Sequence, residues 1–253
     1  MENINFVIGC NGNIGSEIVN YESKSGNRII GIDITKTKIN NSNFTCWNYD
    51  CRFPEKIELA LKNLYIKNKF RVKNLVLCAV MDSIPNKNKE EIDLYNYGLK
   101  NQNFSEINKR VLINVTSQIY ILKIFEPYLF SKSSVCLFSS IYGYASPDQR
   151  IYQDEFIKPL EYSASKSSII GITKHFAVTS ALSDKGRCNC IVLGGLKNIN
   201  QSKEFQKNYI NKVPIGRMAN INDVINAYGF ISSDESSYIT GISLFVDGGY
   251  SAW

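Results

Sequence analysis

The sequence predicts an α/β fold, a single-domain doubly wound parallel sheet with helices on both faces. Three observations carry that prediction. Short apolar runs alternate along the chain with stretches whose apolar residues recur at helical spacing. Some of those runs are continuous rather than alternating, as in Lys73 to Met81 (KNLVLCAVM), which is the pattern of a strand buried on both faces. No Pro/Ser/Gly-rich linker interrupts the 253 residues, so 1–253 reads as one domain.

The elements follow in order. Asn5 to Gly9 (NFVIG) is an apolar run ending in glycine, after which Ile14, Ile18 and Val19 take helical spacing. Asn27 to Ile34 (NRIIGIDI) and Thr45 to Asp50 (TCWNYD) are the second and third strands. Glu55 to Lys67 carries Ile57, Leu61 and Leu64 as a helical stripe, and the Lys73 to Met81 strand follows. Asp82 to Gln102 is polar and reads as a loop with some helix. Phe104 to Leu129 places Ile107, Val111, Val115 and Leu122 on one helical face, and Ser134 to Ser140 (SVCLFSS) is a strand. Tyr162 to Leu182 is a long helix stopped by Gly186, and Cys188 to Leu193 is a strand. Ile221 to Ser232 is a helix, and Ile242 to Val246 is the last strand.

Composition narrows the function. With 44% hydrophobic and 21% charged residues the chain is globular rather than disordered. Leu75 to Met81 is the longest clean apolar run, too short to span a bilayer, and the N-terminus lacks the pattern of a signal peptide, so a cytoplasmic protein without membrane contact is expected. A net charge of +6 without a dense basic block argues against nucleic acid and favours, at most, an anionic small molecule. Seven cysteines without a CxxC read as free core thiols, with Cys10, Cys78, Cys136 and Cys190 in buried strands. The one histidine, His175, lies mid-helix and reads as structural; a His-rich metal site and a Ser-His-Asp triad are excluded, and no metal is expected.

Gly9-Cys-Asn-Gly12-Asn-Ile-Gly15 joins the first strand to the first helix. Glycines there let the backbone turn tightly and let a pyrophosphate approach the helix N-terminus, where free N–H groups and the helix dipole favour an anion. The next strand carries Asp33, 24 residues after Gly9. A carboxylate at that place accepts hydrogen bonds from ribose hydroxyls and repels a 2′-phosphate, which favours NAD over NADP; a helix cap is its other reading. Asp50 reaches an adenine edge or is a plain turn acid.

Tyr162-Ser-Ala-Ser-Lys166 puts a phenol and an ammonium on one helical face. A lysine near a phenol stabilises the phenolate and brings its proton into play near neutral pH. Ser139 and Ser140 lie at the C-terminal end of the preceding strand, where open α/β sheets place their ligands.

Together, the glycine turn, Asp33, Ser140, Tyr162-xxx-Lys166 and the tail Pro214-Ile-Gly-Arg217…Ile239-Thr-Gly241…Val246-Asp-Gly-Gly249 resemble the classical short-chain dehydrogenase/reductase family over essentially the whole chain. The resemblance implies a Rossmann fold and an enzyme dependent on NAD(P). In it, Tyr162 is the general acid or base on the substrate oxygen, and Ser140, which begins Ser-Ile-Tyr-Gly143, hydrogen-bonds that oxygen. Ser139 is the neighbouring candidate. Lys166 binds the nicotinamide ribose and holds the Tyr162 pKa down. Asn114, in Ile113-Asn-Val-Thr116, anchors a relay water or is a satisfied buried amide. Cofactor contacts are implied at Gly9, Asn11, Gly12, Asn13, Ile14 and Gly15, at Asp33, Asp50 and Cys51, at Cys78 and Ala79, and at Tyr162, Lys166 and Gly195.

The sequence departs from the family's pattern in three places. Asn13 stands where the middle glycine of the cofactor turn is usual, and asparagine tolerates left-handed backbone. Cys78-Ala-Val80 replaces Asn-Ala-Gly, which puts a side chain near the expected cofactor. Leu193-Gly194-Gly195 replaces the usual Pro-Gly. These changes bear on the strength of the cofactor site.

Ser140 and Tyr162 are 22 residues apart, longer than usual for the family. The extra segment, Tyr144 to Glu161, carries Asp148, Arg150, Tyr152, Asp154, Glu155 and Lys158. It lines the site and suits a hydroxylated or phosphorylated ligand, or it is a solvated loop. Its pattern is similar to bacterial flagellin-modification and surface-polysaccharide oxidoreductases, which implies a sugar, sugar-phosphate or nucleotide-sugar substrate in amino-sugar or nonulosonic acid biosynthesis. Gly195 to Val213, with Phe205 and Tyr209, resembles the family's substrate lid or is an ordinary amphipathic helix. The resemblance also implies a homo-oligomer, a dimer or a homotetramer built on the helices near 104–130 and 162–182; separately, Trp253 ends the chain in an aromatic that is costly to leave exposed and suits a subunit interface. The competing expectations are a 3-oxoacyl-carrier-protein-type reductase and a dinucleotide-binding regulatory protein without turnover.

Overall fold

A computed structural model describes residues 1–82, 102–152, 157–199 and 201–253. Most of the polar stretch after Asp82, and Asp154 and Glu155 of the long segment before Tyr162, lie outside the described residues. Strand β1 (Glu2–Ile8) runs beside β2 (Arg28–Asp33) and β4 (Phe70–Leu77), and β3 (Phe44–Asn48) flanks β2. Beyond β4 come β5 (Ser134–Ser140), β6 (Arg187–Leu193) and β7 (Ser243–Val246). All pairings are parallel, in the order β3-β2-β1-β4-β5-β6-β7. This is the doubly wound parallel sheet that the sequence predicts.

The period of two along β1 divides the core. Ile4, Phe6 and Ile8 point to one face, Val7 to the other. On the first face they meet Ile57 and Leu61 of α2 (Pro54–Lys67), Ile121, Leu122 and Phe125 of α4 (Ser117–Phe125), and Ile169 and Ala177 of α5 (Leu160–Leu182). On the second face, Val7, Val76, Phe138 and Ile191 meet Ile18 and Val19 of α1 (Asn13–Glu22) and Val224, Tyr228 and Ile231 of α7 (Ile221–Ser232). Two helical layers therefore bury both faces, which is why the strands read as continuous apolar runs.

Several boundaries differ from expectation for identifiable reasons. The helix expected over Phe104 to Leu129 is two helices, α3 (Phe104–Val111) and α4, joined by a π-helical turn at Leu112–Thr116, and Pro127 stops it early. Helix α5 starts two residues before Tyr162 and ends at Leu182, where Asp184 takes the left-handed conformation (φ 54°). Gly186 therefore does not stop the helix. A Cβ there would lie 2.2 Å from the Ser133 carbonyl oxygen, so its role is close approach. Asp50 lies beyond β3 rather than in it. Cys10 and Cys78 sit just past their strands, and Cys78 is only half-buried; all seven cysteines are free. His175 is exposed on α5. Among the described residues no helix is long and apolar enough to cross a membrane.

One buried polar cluster ties α1 and α7 to the sheet. The Glu22 carboxylate accepts hydrogen bonds from Asn5 Nδ2 (2.6 Å), Asn74 Nδ2 (3.0 Å) and the Tyr228 hydroxyl. Burial pushes its carboxyl above the usual range, against these donors. At the opposite, C-terminal end of the strands the sheet opens a crevice where strand order reverses between β1 and β4.

Candidate active site

That crevice is a cavity of about 890 Å³, within the range of small-molecule sites. One end is walled by the β1–α1 turn. Gly9 has φ +86°, and a Cβ there would lie 2.6 Å from the Ala79 nitrogen. A Cβ on Gly15 would lie 2.1 Å from the Gly9 carbonyl oxygen. The two outer glycines are thus demanded by packing and backbone conformation. Gly12 is different: its Cβ would meet only the Gly9 oxygen, at 3.4 Å, and it caps α1 where the helix N-terminus opens onto the cavity. That is a cradle for an anion. Asn13 is the first residue of α1 and needs no left-handed backbone, so the glycine departure there is harmless to the turn.

Asp33 does not cap a helix. Its Oδ2 accepts from the Asn11 N–H (3.0 Å), and its Oδ1 accepts from the Thr35 N–H (2.9 Å) and hydroxyl (2.8 Å). The carboxylate therefore clamps the glycine turn to the end of β2 while still lining the cavity. Asp50 is gripped by Arg52 through Nε (2.8 Å) and Nη2 (2.6 Å), which holds its carboxyl below the usual range. Both line the cavity beside Cys51, Asn11, Asn13 and Ile14. Arg52 and Thr35 were not legible as site residues, because no motif distinguishes them from other loop polars.

The β4 exit is held from behind. Asn114, in the middle of the π turn, accepts from the Met81 N–H (2.8 Å) and donates to the Met81 carbonyl (2.9 Å). Gln118 donates to the Ala79 carbonyl (3.0 Å). Asn114 is thus a satisfied buried amide that shapes the loop carrying Cys78, Ala79 and Val80, all on the cavity wall. Val80 is half-exposed there, so its side chain does face the cavity.

The other end gathers Ser140, Tyr162 and Lys166. Ser140 ends β5, accepts from the Tyr142 N–H (3.2 Å) and lines the cavity with Tyr162, whose phenolate it favours. Ser139 donates to the Lys166 carbonyl (2.7 Å) and is absent from the cavity lining, so Ser140 is the one of the two serines on the wall. Gly143 explains the Ser-x-x-Gly form: a Cβ would lie 2.5 Å from the Lys166 carbonyl carbon, so glycine lets α5 approach β5. Lys166 Nζ donates to the Phe138 carbonyl (3.0 Å) and lies 5.8 Å from the Tyr162 ring centroid. Burial pulls its ammonium down to about 8. Burial, and then Asp82, push the Tyr162 phenol up, so the depression expected from Lys166 is reversed: desolvation outweighs a cation at that separation.

The long segment before Tyr162 divides in two. Tyr152 and Lys158 line the cavity. Tyr152 donates to the Tyr142 hydroxyl (3.1 Å) and its ring lies 5.4 Å from that of Phe205 on α6 (Lys203–Ile210). Asp148 instead pairs with Arg150 (2.8 Å) and with Lys212, away from the cavity lining. Phe205 and Tyr209 also line the cavity, so α6 forms part of its wall. Gly195 donates its N–H to the Tyr209 hydroxyl, and a Cβ there would lie 2.6 Å from that ring. Leu193-Gly-Gly195 is therefore a seat for Tyr209. Asp82, Tyr142 and Lys109 join the lining without a sequence signal.

The comparisons agree with this geometry. A family model described as Enoyl-(Acyl carrier protein) reductase matches residues 96–251. The chain is 29% identical over 255 residues to the 3-oxoacyl-[acyl-carrier-protein] reductase FabG of Buchnera aphidicola subsp. Schizaphis graminum, covering 96% of this chain and 95% of that one. It is 31% identical over 149 residues to Dehydrogenase/reductase SDR family member 6 of Xenopus laevis, covering 55% of this chain and a little over half, 58%, of the relative's length. Among solved structures, a short chain dehydrogenase from Leptospira borgpetersenii serovar Hardjo-bovis with bound NAD+ superposes with a TM-score of 0.86 at 28% identity, covering 99% of this chain and 93% of that one. The chain belongs to the short-chain dehydrogenase/reductase family.

Proposed function

We propose that the protein is an NAD(P)-dependent oxidoreductase that interconverts an alcohol and a carbonyl on a polar, sugar-derived small molecule. One observation carries this reading. Ser140 and Tyr162 both line the same cavity whose far end is the glycine turn and the α1 N-terminus, with the Ser140 hydroxyl near enough to favour the Tyr162 phenolate. The residues fit a dinucleotide: a Gly12 cradle at a helix N-terminus for the pyrophosphate, Asp33 for a ribose, Asp50 and Cys51 near the adenine, Cys78, Ala79 and Gly195 along its path. When bound, the nicotinamide supplies or accepts the hydride.

The chain's own groups then handle the proton. Tyr162 donates its hydroxyl proton to the carbonyl oxygen in reduction, and its phenolate takes it back in oxidation. Ser140 holds the same oxygen by hydrogen bonding. Lys166, with an ammonium brought down to about 8, binds the ribose and offers positive charge to the phenolate as it forms. Asn114 positions the Met81 backbone behind them. The carboxylate of Asp33 on the cavity wall supports NAD over NADP, because a 2′-phosphate would meet a like charge.

The polar and aromatic lining by Tyr142, Tyr152, Lys158 and Phe205 supports a hydroxylated substrate, and with it a role in bacterial surface glycan biosynthesis of the flagellin amino-sugar or nonulosonic acid kind. The full-length similarity to a 3-oxoacyl-[acyl-carrier-protein] reductase supports a second reading, reduction of carrier-bound acyl groups. Exposed Phe104, Ile119, Leu160, Val178 and Leu182 on α3, α4 and α5 support a homo-oligomer built on those helices. Free thiols suit a reducing cytoplasm.

Titration with NADH and NADPH, followed by nicotinamide fluorescence, tests the cofactor site. Tighter NADH binding is expected, and no binding of either would return the protein to a non-catalytic role. Assays on sugar phosphates, nucleotide sugars and acetoacetyl thioesters separate the two substrate readings. Tyr162→Phe should lower turnover by about 10²–10⁴-fold with NADH affinity retained; unchanged turnover removes the proton role from Tyr162.

A further inference from the structure

The exit of β6 is held in an unusual way. Leu193, Gly194, Gly195 and Leu196 line the cavity, and Leu193 pairs in register with Ser140 across the β5–β6 ladder. This stretch therefore flanks the end of the cavity that carries Ser140 and Tyr162.

Two consecutive glycines leave the backbone free to rotate. Neither takes a positive φ, so neither is demanded by its own conformation. Space demands them instead. A Cβ on Gly194 would lie 2.8 Å from the Asp247 Cα, and one on Gly195 would lie 2.6 Å from the Tyr209 ring. Hydrogen bonds then remove the freedom. The Gly194 N–H donates to the Val246 carbonyl (3.0 Å), and the Gly195 carbonyl accepts from the Ala219 N–H (3.0 Å). Neither bond engages the peptide unit between the two glycines. The N–H of that unit donates to the Tyr209 hydroxyl. Tyr209 is itself fixed: it is 2% exposed on α6, and its ring stacks on Tyr250 with centroids 5.1 Å apart. A side chain locked by packing holds its partner to one place.

We propose that Tyr209 is a positioning residue whose hydroxyl fixes the Gly194–Gly195 peptide for the nicotinamide end of the dinucleotide, and that it leaves the adenosine end untouched. The inference rests on the cofactor reading, which puts the pyrophosphate at Gly12 and the reacting ring beside Tyr162, next to the β6 exit. A proline stiffens a turn covalently by fixing φ. Here a side chain 14 residues downstream does so through a hydrogen bond. Without the hydroxyl the peptide regains its rotation, and a ligand that packs on it must order it on binding.

Tyr209→Phe removes the hydroxyl and keeps the stacked ring. NADH affinity is read by nicotinamide fluorescence. ADP-ribose, which carries the adenosine and pyrophosphate but no nicotinamide, is titrated by calorimetry. The variant should lose about fivefold in NADH affinity, the size of one hydrogen bond, with ADP-ribose affinity unchanged. A merely structural Tyr209 would weaken both ligands by the same factor. Equal losses, or an NADH affinity that survives Tyr209→Phe, overturn the proposal. Gly195→Ala disturbs the same contact from the other side, since its Cβ meets the Tyr209 ring, and should show the same NADH-selective loss. It decides the question if Tyr209→Phe does not fold. Failure of the cofactor reading looks different: the wild type then binds neither ligand, and the proposal falls with it.

Discussion

Replacing Lys166 by methionine keeps the length of the side chain and removes a charge that the fold has to enclose. The ammonium is pulled by burial from its ordinary 10.5 to about 8. At 1.36 kcal/mol for each tenfold in proton affinity, that difference amounts to about 3 kcal/mol against the folded state at pH 7. The variant also loses the hydrogen bond to the Phe138 carbonyl, at about 1 kcal/mol. The net expectation is a gain of about 2 kcal/mol, or about 4–8 °C in Tm for a chain of this length. The sign of the pH dependence follows from the same numbers. Between pH 8 and 10.5 the unfolded chain binds more protons at Lys166 than the folded chain does, so wild-type stability rises relative to the variant and the gap closes. Calorimetric scans of both proteins without cofactor, across pH 7 to 10.5, measure it. A variant no more stable at pH 7, or an advantage that does not shrink above pH 8, refutes the reasoning. On the proposed mechanism the same variant loses turnover, which would make Lys166 a residue kept at the expense of stability.

Three further outcomes are expected. Gly15→Ala puts a Cβ 2.1 Å from the Gly9 oxygen and should lower both NADH affinity and Tm, whereas Gly12→Ala, with 3.4 Å of room, should keep a wild-type Tm in thermal melts. Glu22→Ala strands the Asn5, Asn74 and Tyr228 donors and should cost about 3 kcal/mol in urea unfolding. Because burial raises the Glu22 carboxyl, its contribution is greatest at acidic pH and fades as pH rises through its folded value, so the gap to the variant should narrow upward from about pH 4.5. Asp33→Ala frees Asn11 and Thr35 and should weaken NADH binding more than NADPH binding; an unchanged ratio in the fluorescence titration removes Asp33 from cofactor choice.

The alternation of apolar runs and helical stripes was sufficient for the seven-stranded sheet and its two helical layers. Burial on both faces imposes a local pattern, and a local pattern can be read without knowing what lies opposite. The same holds for Gly9 and Gly15, where the tight turn between β1 and α1 admits no side chain, and for the Tyr162–Lys166 spacing, which one helix face enforces. Other features depend on partners distant in the chain. That Ser140 rather than Ser139 lines the cavity goes with the Ser139 hydroxyl reaching the Lys166 carbonyl, 27 residues away. Asn114 turned out to hold Met81 across 33 residues, and Asp33 to clamp a turn 22 residues behind it. The pKa of Tyr162 was decided by enclosure: burial and Asp82 push it up, whereas its spacing from Lys166 alone argues for the opposite. Asp82, Lys109 and Lys158 come together from a loop, a helix and the long segment before α5. Their conjunction is an electrostatic property of the assembled cavity. Charge and desolvation act through space, while sequence spacing records only neighbours along the chain, so the fold was legible in advance and the electrostatics around Tyr162 were not.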